Sequence, residues 1–407
     1  MGRLNTVGEL EVLGLGLVPS RGMKKGMVSN LSEVTQVTQA SIREAEAQAG
    51  VRISSAYVGL TGSHISSANS RASLDNRRYD VPVAAREVEQ VLQACSTYGD
   101  SSDARVLHVI PRGYALDGYW GIGDPVGMFS SKLEVESHVV QGGAAPIDNL
   151  VKAISKAKVK IKGMVLEPLA SAEAILAPEE REMGVVLVDI GGGTSDIAIF
   201  LDGNIWHTKV IPVGGFQLTR DVSIAFSCPL QAAEDAKLQY GHAMPEAIDP
   251  QEEIRLQGFG EHVMYSVPRQ RLCQTLRERM EELLRMILAE IGEAGLESVP
   301  PGGLVLTGGS AKLPGLEDLA EEVFPGPVRI GIPRAMRGAS ADLEDPAFAT
   351  ALGLLLWDIK QQGAYSWHTN GNGFKGNEPV KGLAYARQWL DSVTRRVHQQ
   401  IRRYSHG

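Results

Sequence analysis

Cysteine is scarce: Cys95, Cys228 and Cys273 are the only three in 407 residues, far apart and with no C-x-x-C spacing. That excludes a disulfide framework and reads as reduced, small apolar side chains of a cytosolic protein. His64, His108 and His138 are scattered without zinc-ligand spacing. No apolar run approaches the roughly 18–20 residues that a membrane-spanning helix needs. The mildly apolar stretch Leu10–Val18 is interrupted by Gly14 and Gly16 and carries no signal-peptide cleavage pattern, so any membrane contact is expected to be peripheral. There is no basic excess either. Forty Lys and Arg face 48 Asp and Glu, a net charge of −8, which argues against a broadly basic nucleic-acid binder. A nucleophile elbow, a catalytic-triad pattern, a paired-carboxylate motif and a 20–50-residue repeat are all missing.

What is present is ordinary globular composition, 43% apolar and 22% charged, in a chain long enough for two to four domains at roughly 100–200 residues each. Glu9–Val18 reads as a strand ending at the turn cluster Pro19–Gly22. Asn30 or Ser32 caps an expected helix over Leu31–Ala49, stopped by Gly50. Ala56–Thr61 reads as a buried strand, followed by a polar stretch, Ser66–Tyr79. A small α+β unit is then expected over residues 80–161, with a helix at Glu87–Cys95, strands at Arg105–Ile110 and Lys132–Val140, a glycine-containing loop at Gly118–Met128 and a helix at Pro146–Ala157.

The most informative region follows. Gly184–Ile190 is a continuous apolar strand, Gly191–Asp196 (GGGTSD) a tight turn, Ile197–Phe200 a returning strand, and Asp202-Gly203-Asn204 a hairpin turn into Ile205–Val213. No Lys stands in the glycine turn and no helix follows it, so this is not a Walker-type loop. A glycine hairpin can still cradle phosphate, because consecutive N–H groups can line one anion-binding concavity. Thr194 and Ser195 add hydroxyls, and Asp189 could hold the water shell of a phosphate-bound Mg²⁺. A second glycine turn, Gly308-Gly309 in GGSAKLPGL, leaves room for a flat ring against the backbone. Glu234 and Lys237 share a helix face at i,i+3, which suits either a ribose-holding pair or a surface salt bridge.

These motifs, taken in order, resemble the bacterial FtsA family. They are ELEVLGLGLVPSRGMKKG (Glu9–Gly26), VGLTGSHISSANS (Val58–Ser70), HVIPRGYALDG (His108–Gly118), DPVGM (Asp124–Met128), EPLASAEAIL (Glu167–Leu176), VDIGGGTSDIAIF (Val188–Phe200), PVGGFQLTRD (Pro212–Asp221), AEDAKLQYG (Ala233–Gly241) and LTGGSAKLPGL (Leu306–Leu316). The resemblance implies an α/β, actin-like, two-lobed nucleotide-binding fold with ribonuclease H-like halves and an inserted small α+β subdomain of SHS2 type. It divides the chain into the first lobe at 1–79 with its return at 162–183, the insert at 80–161, and a second-lobe core at 184–233 and 301–338. A smaller second-lobe subdomain would span 234–300 and the last helix of the body 339–360, before a linker at 361–380 and a tail at 381–407.

The resemblance also implies roles. Asp189, Gly191, Gly192, Gly193 and Thr194 match a phosphate loop, with Asp189 on the Mg²⁺ side. Gly214 and Gly215 match glycines near the phosphates. Glu234 and Lys237 match the ribose pair, and Gly308, Gly309, Ser310 and Leu313 the adenosine loop. Glu167 matches the position that orients an attacking water in related ATPases, although a helix N-terminus also favours a carboxylate there. The cofactors would be ATP and Mg²⁺, and any activity at most a weak ATPase. The partners would be the C-terminal peptide of FtsZ, met near Arg279, together with other divisome proteins and further copies in a head-to-tail filament. Location at the cytoplasmic face of the membrane at the division site is implied too. One departure is expected to weaken nucleotide binding: the first phosphate hairpin of such folds, an Asp-x-Gly-Thr type turn, has no counterpart ahead of Glu9–Val18, and a central strand of the first half-sheet is expected to be missing with it. Rival readings are a PilM-like pilus-assembly relative and a phosphotransferase on the same fold.

The tail stands apart chemically. Lys381 with Arg387, Arg395, Arg396, Arg402 and Arg403 against Asp391 gives residues 381–407 a net charge of +5, leaving −13 on the rest. Trp389, Leu390, Val393, Val397 and Ile401 recur at helical steps on one arc with the arginines outside it. This is the pattern of a helix lying in an anionic membrane interface, and FtsA-like proteins end in such a helix.

Overall fold

A computed structural model describes residues 1–5, 10–75, 78–96, 103–260, 263–334 and 343–362, with residues 361 and 362 described by backbone alone. The second lobe is built on a five-stranded sheet. Val185–Ile190 lies at its centre, every residue buried. It pairs antiparallel with Ser195–Leu201, which pairs antiparallel with Asn204–Ile211. On its other edge it pairs parallel with Leu304–Thr307, followed by Val328–Ile330. The run of Val, Leu and Ile without alternation is what burial on both faces demands. One face carries helices Gly215–Phe226, Leu230–Tyr240, Arg269–Glu293 and Leu316–Val323 over a single core that includes Leu218, Leu276, Met280 and Leu319. The expected smaller subdomain, with its hairpin Glu253–Gln257/Met264–Pro268, shares that core.

The first lobe repeats only part of this plan among the described residues. Ser55–Leu60 and Lys160–Leu166 pair parallel, the counterpart of the second lobe's parallel pair. Two short antiparallel pairs form separate sheets, Gly2–Leu4 with Leu10–Val12 and Met23–Lys24 with Met27–Val28. Helix Leu31–Ala49 starts where expected: Asn30 Oδ1 accepts from the amides of Ser32 and Glu33, and Gly50 ends it at φ 68°. The last helix, Ala349–Gln362, packs on helix Glu167–Ile175 and closes the lobe.

The insert is a four-stranded antiparallel sheet in the order Ile65–Leu74, Leu133–Gly143, Ala104–Leu116, Tyr119–Ile122, backed by helix Ala85–Ser96. It therefore begins at Ile65 rather than residue 80. The first part of the polar stretch Ser66–Tyr79 belongs to the edge strand Ile65–Leu74, whose ten residues all pair with Leu133–Gly143. Helix Ala144–Lys156 belongs to the first lobe, where it packs on helix Leu31–Ala49. The loop expected over Gly118–Met128 contains the short strand Tyr119–Ile122.

The insert is rooted in the first lobe yet docks on the second. Ser67 Oγ donates to Thr208 O at 2.8 Å. His138 joins Asn69 Oδ1 (2.8 Å) to Thr208 Oγ1 (2.9 Å), and the Arg112 guanidinium lies 3.7 Å from the Trp206 ring centre. The expected tail helix, with Trp389, Leu390, Val393, Arg395, Arg396, Val397 and Ile401, lies outside the described residues, as do the linker residues 363–380.

Candidate functional site

The site forms where the central strand Val185–Ile190 turns back through Gly191–Thr194. That four-residue turn sets Asp189 opposite Asp196 in the ladder, so two carboxylates flank one glycine turn. Asp189 Oδ2 accepts from Ser171 Oγ (2.5 Å) and Thr350 Oγ1 (2.9 Å), both from helices of the first lobe. Burial pushes its pKa up, and these two hydrogen bonds oppose the rise. Asp196 is pushed up to about 7, by burial first and then by the charge of Asp189, against hydrogen bonds from Thr61 and Thr194. Glu167, the first residue of helix Glu167–Ile175, goes well above the carboxylate range through burial and the charges of Asp196 and Asp189. Its Oε1 would lie 3.3 Å from a Cβ added to Gly59.

The glycine turns interlock backbone to backbone. Gly215 N–H donates to Gly191 O at 2.9 Å and Phe216 N–H to Gly192 O at 2.7 Å. Ser310 Oγ donates to Gly191 O at 3.1 Å. A Cβ on Gly214 would sit 2.6 Å from Gly191 O, so no larger residue fits there. A Cβ on Gly215 would come within 2.7 Å of Ser310 Oγ, 3.6 Å of Lys237 Nζ and 3.7 Å of Gly191 O. One small volume thus gathers residues assigned separately from four sequence motifs. Gly308, at φ 89°, packs its Cα against Asp189. Gly309 and Ser310 open the short 3₁₀ turn that follows. Leu313 instead turns toward the core beside Gly241.

Glu234 and Lys237 form the expected i,i+3 pair at 2.7 Å. It is more than a surface salt bridge, because Lys237 Nζ also donates to Gly215 O (3.2 Å) and Thr219 Oγ1 (3.0 Å). From the first lobe, the hairpin at Lys25 reaches Gly193: a Cβ there would lie 3.4 Å from Lys25 N and Cα. Thr61 bridges to Asp196 and stands 3.4 Å from Thr194 Oγ1. Arg279 lies elsewhere, on helix Arg269–Glu293. Its guanidinium is held by Asp221 (2.5 and 3.2 Å) and Glu282, so an acidic peptide would have to compete for it.

Sequence reasoning missed Asp196, Thr61, Ser171, Thr219 and Thr350. Asp196 had a signal, since a four-residue hairpin turn pairs Ile190 with Ser195 and, one step further along the ladder, Asp189 with Asp196. The others had none, because their partners are distant in sequence.

Among the described residues no three Asp, Glu, His or Cys side chains gather closely enough to ligate a metal directly. The residues nonetheless suit a nucleotide with its hydrated Mg²⁺. The Gly192 and Gly193 amides find no acceptor among the described residues, and the buried carboxylates nearby would gain from a cation held through water.

Two lobes, a strand–glycine-turn–strand site between them and an antiparallel insert define an actin-like fold. The PilM–PilN type IV pilus biogenesis complex has a chain of this fold: it aligns with a TM-score of 0.64 at 18% identity, covering 88% of this chain and 94% of that one. Family models match residues 186–353 (cell division protein FtsA) and 62–141 (SHS2 domain inserted in FtsA). Cell division protein FtsA of Pseudomonas aeruginosa is 39% identical over 392 residues, 96% of this chain and 94% of that protein. FtsA of Escherichia coli is 36% identical over 355 residues, 86% of this chain and 84% of that protein. The chain belongs to the FtsA family of cell-division proteins.

Proposed function

We propose that this cell-division protein is a peripheral membrane adaptor that binds ATP with Mg²⁺ in the cleft and tethers FtsZ filaments to the cytoplasmic face of the membrane at the division site. The observation that carries the nucleotide part is the convergence on Gly215 of Ser310, Lys237 and the Gly191 turn. In this reading the Gly191–Thr194 turn receives phosphate through the Gly192 and Gly193 amides, with Gly214–Gly215 packed close by. Asp189 orients the hydrated Mg²⁺, Glu234 and Lys237 serve the ribose, and Gly308–Ser310 lie along the base. Bound ATP would supply charge and contacts between the lobes, acting chiefly as a ligand for closure and head-to-tail self-assembly. Glu167 would face the phosphates. The tether part rests on the amphipathic, arginine-rich pattern of residues 381–407, and Arg279 marks the face offered to the FtsZ C-terminal peptide.

The test has two arms. Sedimentation with anionic vesicles should carry FtsZ down with the full chain but not with a chain ending at Val380. Binding of a fluorescent ATP analogue with Mg²⁺ should be lost in Asp189→Ala. FtsZ that sediments equally without the tail would overturn the tether, and an unaffected Asp189→Ala variant the nucleotide site.

A further inference from the structure

We propose that Thr219 is a positioning residue that sets the Glu234 carboxylate to receive a sugar hydroxyl, and that Lys237 supports it rather than touching the sugar. This rests on the nucleotide reading and assigns different tasks to residues within it. Thr219 lies one turn into helix Gly215–Phe226 and is 3% exposed. Its Oγ1 is within hydrogen-bond reach of Gly215 O (3.0 Å), of Glu234 Oε2 and of Lys237 Nζ (3.0 Å). The hydroxyl has one proton and two lone pairs: it accepts from Lys237 and shares its proton between Gly215 O and Glu234.

The count of donors divides the labour. An ammonium has three N–H bonds. Those of Lys237 go to Glu234 Oε2, Gly215 O and Thr219 Oγ1, so none is left for a ligand. Glu234 Oε2 is taken by Lys237 and Thr219. Its Oε1 has no partner among the described residues, and the side chain is 36% exposed. A carboxylate oxygen fixed in this way is an acceptor for a hydroxyl donor such as a ribose 2′- or 3′-OH. The same hub holds Gly215 O, and Gly215 N–H holds Gly191 O. The sugar end and the phosphate end of the site are therefore joined through one buried hydroxyl.

The experiment compares Kd for ATP, 2′-deoxy-ATP and 3′-deoxy-ATP, each with Mg²⁺, on the full chain and on Thr219→Ser and Thr219→Val, with thermal unfolding checked alongside. A site built to bond a hydroxyl rejects the analogue lacking it. The unmodified chain should prefer ATP over at least one analogue by about tenfold, the size expected for a hydrogen bond to a charged group. Thr219→Ser should keep that ratio, and Thr219→Val should bring it within about twofold. If Thr219→Val does not fold, Thr219→Ala, which also removes the hydroxyl, takes its place. Full discrimination retained by the variant, or none in the unmodified chain while it binds ATP, would overturn the role of Thr219 alone. Failure of the unmodified chain to bind any of the three would overturn the nucleotide reading as well.

Discussion

The Thr61 hydroxyl donates to Oδ1 of Asp196, 135 positions away, and this hydrogen bond crosses from the first lobe to the second. Thr194, at the end of the glycine turn, donates to the other oxygen of the same carboxylate at 3.1 Å. Closure of the lobes and the shape of the turn therefore meet at one buried acid.

Removing the crossing bond should loosen the cleft without unfolding either lobe. Thr61→Val keeps the shape and loses the donor. It is expected to lower the unfolding free energy by about 1–2 kcal/mol. Amide exchange should also speed up in Met23–Val28, the hairpin that abuts Gly193. Unchanged exchange there would mean that the lobes are held by other contacts.

Asp196 makes stability depend on pH in an unusual direction. Its folded pKa is about 7 against about 3.9 for an unfolded Asp. Between those values the folded chain holds a proton that the unfolded chain has released. The contribution of the protonated acid is complete below about pH 4 and is lost as pH rises through 7. Asp196→Asn mimics the neutral acid, and either threonine hydroxyl can turn to accept from its Nδ2. Without divalent cations it should stabilise the chain by about 4 kcal/mol at pH 8 and by about 1.5 kcal/mol at pH 5. Melting curves at the two pH values decide this, and equal effects at both would refute the buried proton.

His138 works in the opposite sense. Burial, then the neighbouring charges of His207, Arg112 and His108, hold it down to about 3. Arg112 and His207 are themselves paired with Glu136 and Glu290. An unfolded His takes up its proton near pH 6.5, so stability should fall as pH drops below that value. His138→Gln can still bond Asn69 and Thr208. Between pH 6.5 and 4.5 it should lose about 2 kcal/mol less than the unmodified chain. The slope of the denaturant midpoint against pH measures it.

Two glycines at positive φ should respond differently to alanine. At Gly50 (φ 68°) an added Cβ meets nothing within 4 Å, so only the backbone strain remains, about 1 kcal/mol. At Gly308 (φ 89°) the Cβ would fall 2.3 Å from Asp189 Oδ1 and 2.6 Å from Ile190 O. Gly308→Ala should cost about 3 kcal/mol or more and, on the proposed nucleotide reading, abolish ATP binding. Equal costs at the two positions would show that the turn yields more easily than its packing implies.

What the sequence determined by itself is what neighbouring residues decide together. Asn30 and Gly50 bound their helix because a cap bonds amides two and three residues on. The Val185–Ile190 strand, its glycine turn and the Asp202-Gly203 hairpin were legible because a β-hairpin is closed by residues adjacent in the chain. The motif order carried the family. Tertiary structure alone decided the rest. Ile65–Leu74 has no apolar face to announce it and is a strand because Leu133–Gly143 supplies its hydrogen-bond ladder. Lys237 looked like half of a surface pair until the fold set Gly215 and Thr219 against its ammonium. Ser171 and Thr350 reach Asp189 from 18 and 161 positions away, and Thr61 reaches Asp196 from the other lobe. Such contacts depend on where whole elements pack, and no local period of the chain encodes that distance.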